Sequence, residues 1–117
     1  MTAATGILND TKKVLGLDPD YKAFDIDILM HINTAFVSLN QLGVGPQEGF
    51  QIEDETAEWE DYLLNDPNLN SVKTYIYLKV RLYFDPPETS YAQTARQKQI
   101  EELEWRLNVY REGRDNP

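Results

Sequence analysis

His31 is the only histidine in the 117-residue chain, with Asp27 four residues before it and Ser38 seven after. On an α-helix these positions fall on one side, the spacing at which a carboxylate orients an imidazole and the imidazole activates a hydroxyl. The spacing permits a nucleophilic triad, but no glycine-rich elbow and no second histidine supports one, so a structural or surface histidine is the better-supported reading. A second candidate is the run EDETAEWED, residues 53–61, with six acids in nine positions around Trp59. Paired carboxylates for metal binding or glycoside hydrolysis must converge from several elements, and the chain offers no second cluster. Acids at the start of a helix, stabilised by its dipole, explain most of them. Asp18-Pro19-Asp20 opens like a calcium loop, yet Lys22 stands where an oxygen ligand is needed and Ala23 where a glycine is needed. Gly43-Val44-Gly45 follows a helical pattern rather than a strand, and no helix opens at Gly49, which argues against a phosphate cradle.

Without a catalytic constellation, neither enzymatic activity nor a cofactor or metal is expected. The totals narrow the class further. A chain of this length suits a single domain over residues 1–117, and the absence of cysteine excludes disulfide scaffolds and cysteine-ligated zinc. The start, MTAATGILND, lacks a basic n-region, and no run of 18 apolar residues occurs, so neither a signal peptide nor a membrane span is expected. The net charge of −9 argues against gripping nucleic acid. It is also uneven: residues 1–67 carry 13 acids against 3 lysines, a net of −10, while residues 68–117 carry 7 acids against 8 cations, a net of +1. Such asymmetry keeps a small protein soluble; it would also suit a head-to-tail contact between copies.

The elements that would position these groups read as helices. In residues 25–43, Ile28, Leu29, Ile32, Ala35, Phe36, Leu39 and Leu42 recur three and four apart, with Asp25 as the expected N-cap and Gly43 as the C′ residue. This is the expected central helix, with Asn33, Thr34 and Asn40 on its polar side. A short helix is expected over residues 6–15, placing Ile7, Leu8, Thr11, Val14 and Leu15 on one face and ending at Gly16. The acidic run predicts a helix over residues 55–64. Residues 69–84 predict a helix that is apolar around much of its circumference, through Leu69, Val72, Ile76, Val80 and Tyr83 and a second set of Tyr75, Leu78 and Leu82. A final helix should begin at Ser90, with Gln93 completing a capping box, and run to Gly113. Its first half, poor in large apolar residues up to Gln99, should project, and residues 110–117 should form a flexible polar tail. The fold class is therefore all-α, about five helices, with a long glycine-containing loop between the second and third.

That loop, residues 43–52, presents Val44, Phe50 and Ile52 either to a partner or to the subunit's own core. With Gly45 and Pro46 it is a candidate contact surface. Further candidates are Tyr75, Leu78 and Leu82 on the broad helix, and Arg111 and Arg114 near the end of the chain.

LNQLGVGP at residues 39–46, AEWEDYL at 57–63, YIYLKVRLYFDPP at 75–87 and IEELEWRLN at 100–108 occur in this order. Together they resemble the head-tail connector, or adaptor, proteins of long-tailed double-stranded DNA phages and prophages. The resemblance implies a helical virion protein with no catalytic motif, assembled in host cytoplasm into a ring, typically dodecameric, at the neck. Its implied partners are copies of itself, the portal protein, a downstream neck or tail protein, and DNA that passes through the lumen without specific binding. Arg81 reads equally as a solvated arginine on a helix or, as the family resemblance of its RLYFDPP context implies, as half of a buried or interfacial ion pair. The alternative from another class is a small acidic regulatory or inhibitor module that imitates nucleic acid through residues 53–61.

Overall fold

Ile28, Ile32, Ala35, Phe36 and Leu39 are all buried in the computed structural model, as their helical spacing requires. The structure describes residues 6–62 and 69–115, the side chains of 69 and 110–115 excepted. Five helices occur among them: α1 (Ile7–Val14), α2 (Asp25–Gln41), α3 (Trp59–Tyr62), α4 (Leu69–Phe84) and α5 (Ser90–Asp115). The all-α class stands.

The layer order is α2, α4, α5, with α1 laid across α2 and α4. Helix α4 turns Val72, Tyr75, Ile76 and Val80 fully inward, and α5 contributes Ile100 and Leu107. Cross-helix contacts fix the directions. The Phe24 and Phe84 rings lie 5.2 Å apart, and His31 lies 5.5 Å from Tyr83. The start of α2 therefore meets the end of α4. The Tyr75 hydroxyl donates to Glu104 Oε2 at 2.7 Å, and the Ser38 side chain lies near it. One early residue of α4 thus touches the later parts of both neighbours, so α4 runs antiparallel to α2 and α5, and these two run parallel.

Helix ends follow local chemistry. Gly43, at φ 84°, closes α2 in a Schellman motif: its N–H reaches the Asn40 carbonyl and the Val44 N–H reaches that of Leu39. Asp25 does not cap α2. It is the first helical residue, and its carboxylate instead lies 2.7 Å from the ammonium of Lys12, which is wholly buried. Lys12 Nζ also donates to the carbonyls of Pro19 at 3.0 Å and Tyr21 at 2.6 Å. Three acceptors for three N–H groups satisfy the ammonium and staple the α1–α2 connection shut.

The cap of α5 is Thr89, one residue before the expected Ser90: its Oγ1 accepts from the Ala92 N–H, while Gln93 donates to the Pro87 carbonyl. The acidic helix is shorter than expected within the described residues: Asp54 accepts from Thr56 in a turn that competes with helix, and Asp61 Oδ2 accepts from the Glu58 N–H, which starts α3 only at Trp59. Leu64 and the rest of 63–68 lie outside the described residues. Residues 111–115, expected in a tail, continue α5, since Gly113 costs a helix only about 1 kcal/mol.

Desolvation, with the Glu104 carboxylate beside it, holds the Tyr75 hydroxyl proton far above the ordinary tyrosine range, and burial pushes Tyr77 up to about 12. An unfolded chain releases both protons near pH 10. The stabilisation is therefore complete below that pH and lost as pH rises toward the folded values, at up to about 1.4 kcal/mol per pH unit for Tyr75. Thermal melts between pH 8 and pH 12 should show this decline. Tyr75→Phe should flatten it while lowering stability at neutral pH by about 1 kcal/mol for the lost hydrogen bonds.

Candidate functional site

The loop after α2 is folded back along that helix. Asn33 and Asn40, seven residues apart and so on one side of α2, hold it at two points. Asn33 Oδ1 accepts from the Ile52 N–H at 2.8 Å, and its Nδ2 donates to the Ile52 carbonyl at 3.0 Å. Asn40 Nδ2 donates to the Pro46 carbonyl at 3.1 Å. The Tyr62 hydroxyl donates to the Val44 carbonyl at 3.2 Å, and the rings of Phe36, Phe50 and Tyr62 meet pairwise with centroids 4.7–5.1 Å apart. The polar residues of α2 thus replace the hydrogen bonds that a strand partner would otherwise supply.

Between α2 and the folded-back loop lies an open cleft of about 510 Å³, lined by Phe36, Val37, Asn40, Glu48, Phe50 and Gln51 among others. Val44, Gly45, Pro46 and Phe50 are half-buried along this loop. Ile52 is buried in the subunit's own core, the second of the two fates its position allowed, because Asn33 pins its backbone against α2. Tyr75 is likewise a core residue and presents no side-chain surface to a partner: its hydroxyl is consumed between α2 and α5. Leu78 and Leu82 are half-buried against the core, and Arg81 is exposed, with no ion pair among the described residues. The side chains of Arg111 and Arg114 lie outside the described residues.

The groups that could do chemistry do not converge. His31 stacks on Tyr83, and Ser38 is engaged with Tyr75. Asp10 accepts from Trp59 Nε1 at 2.8 Å, tying α1 to α3. The Asp54 carboxyl is held below the ordinary range by the Thr56 hydroxyl and N–H, so it serves a turn. Among the described residues, no three His, Asp or Glu side chains gather as a metal would require. No helix among them is long and apolar enough to cross a membrane.

What the surface does carry is two apolar stripes, one on α2 and one on α5. Ile26, Met30 and Val37 point away from the buried side of α2, Met30 being 62% exposed. Tyr91, Trp105 and Val109 point away from the buried side of α5, at 87% exposure for Tyr91 and 67% for Trp105. Their signal was present as apolar residues out of phase with the core stripe, four, seven, fourteen and four positions apart.

A family model described as phage connector protein matches residues 7–114. The chain belongs to the phage connector protein family. Neither a curated protein nor a solved structure matched it. The connector is thus a structural protein of the phage neck, and its place is the virion.

Proposed function

We propose that the connector assembles into a closed ring of identical subunits, between the portal and the tail, through which DNA passes during packaging and ejection. Family membership over residues 7–114 carries this reading. The dodecameric number is what the resemblance of its motifs implies. A net charge of −9 suits a channel wall that repels phosphates rather than binding them, so that DNA slides. A ring needs two different complementary faces on each subunit, in keeping with the net −10 and +1 of the two parts of the sequence.

On this reading the loop edge formed by Val44, Gly45, Pro46 and Phe50 and the exposed Arg81 beside Leu78 and Leu82 contribute to contacts. The end of α5 around Arg111 and Arg114 docks on the portal or the next neck protein. Light scattering of the purified chain, alone and with its portal protein, tests the proposal. The expected mass is a whole-number multiple, many-fold, of the 13.5 kDa subunit. A chain that stays monomeric in both settings would overturn it.

A further inference from the structure

We infer that neighbouring copies join side to side, the Ile26–Met30–Val37 stripe of one packing against the Tyr91–Trp105–Val109 stripe of the next, with Trp105 seated in the cleft beside Val37. This rests on the ring reading above and names the surface by which the ring closes.

The first support is placement. Helix α4 packs against both α2 and α5, and each stripe lies on its helix opposite the buried face. One chain thus carries two large apolar surfaces that it does not cover itself. Exposed apolar groups of this size gain by burial. Two unlike faces are what a heterologous contact requires.

The second support is register. Rotation about a ring axis has no rise, so with the helices lying along that axis, residues at one height on one copy meet the same height on the next. Ser38 and Glu104 share a height because both lie beside the Tyr75 hydroxyl, which donates to Glu104. Val37 and Trp105 are their immediate sequence neighbours. Ile26 lies 11 residues before Val37 and Tyr91 14 residues before Trp105, about 16 Å and about 21 Å along parallel helices. The two stripes therefore run in the same direction and overlap in height below Val37 and Trp105, with Val109 extending the α5 stripe beyond the α2 one.

The third support is the anchor and its charges. Trp105 is the kind of side chain that dominates interfaces when it fills a pocket, and the cleft walled by Phe36, Val37 and Phe50 is at the matching height. Lys98 stands on the α5 stripe between Tyr91 and Trp105, with no ion pair among the described residues. Asp27 is exposed on α2, which holds no cation, and Glu48 lines the cleft. An acidic face thus meets the face bearing the uncommitted lysine.

Met30→Arg and Trp105→Arg test this by light scattering, alone or on the portal, wherever the wild-type chain assembles. Both positions are exposed, so circular dichroism and melting temperature should match wild type; if either arginine unfolds the chain, Met30→Gln and Trp105→Ser replace them. Each variant alone should lose all assembly and run at 13.5 kDa. Mixed in equal amounts, they should form a dimer of twice that mass and nothing larger, because only one intact pair of faces remains. Assembly of a single variant as in wild type would overturn the interface and leave the ring reading standing. A single variant that dimerises by itself, or a mixture that stays monomeric, would also overturn it. A wild-type chain that never assembles would overturn both.

Discussion

Lys12→Ala is expected to destabilise the connector by about 3–5 kcal/mol, the range seen when one partner of a buried ion pair is removed. Three losses combine. Asp25 is left without its counter-charge, in a position only 19% exposed, where its Oδ1 has no partner other than Lys12. The Pro19 and Tyr21 carbonyls lose their donor, and the volume of the lysine stem becomes a void beneath the α1–α2 connection. Urea unfolding followed by circular dichroism measures the change. Lys12→Met separates charge from volume: it refills most of the void and should remain nearly as damaging. Lys12→Met combined with Asp25→Leu should recover part of the loss, because an ion pair replaced on both sides by apolar groups leaves no orphaned charge. A loss below about 1 kcal/mol for Lys12→Ala would mean that the site admits water freely. Raised salt should change the Lys12 contribution little, in contrast to the exposed Arg106–Glu102 pair on α5, whose attraction salt screens.

Lys12 also shows what the sequence could and could not reveal. The helices α1, α2, α4 and α5 were legible because burial selects apolar residues at a fixed period, and α4 has the bounds its pattern implied. Lys12 follows Leu8 by four and precedes Leu15 by three, so its position is on the apolar face; a period alone, however, does not say that a lysine there finds three acceptors in a turn and a helix start far along the chain. The acidic run misled for a related reason. Asp54 and Asp61 were read as helix-dipole charges, whereas their carboxylates take local N–H groups and hold a turn and the start of α3. The contact loop was half legible. Its glycines announced positive φ, but its folding back depends on Asn33, Asn40 and Tyr62, which reach it from two other elements. The outer stripes were visible only after burial had been assigned, since an isolated Met30 or Trp105 in a sequence is indistinguishable from a core residue.

Gly45→Ala should cost about 2–4 kcal/mol, combining left-handed backbone strain with overpacking. Gly45 has φ 88°, and a Cβ there would come within 2.5–2.7 Å of the Tyr62 ring and hydroxyl. The ring cannot move aside easily, because it is packed on Phe36 and Phe50. Gly49→Ala provides the control: its φ is 92°, yet nothing lies within 4 Å of the added carbon. It should lose only the strain part, about 1–2 kcal/mol. The difference between the two isolates the clash. In a Tyr62→Leu background, Gly45→Ala should become milder, a coupling that a double-mutant cycle measures directly. The consequence reaches beyond stability. The loop that Gly45 lets fold back is one wall of the cleft proposed to receive Trp105, so displacing it should weaken assembly even under conditions where the helices remain folded. Gly45→Ala that assembles as wild type would show that the loop relaxes around the added methyl without reshaping the cleft; weakened assembly with intact helices would tie the conformation of this one glycine to the closure of the ring.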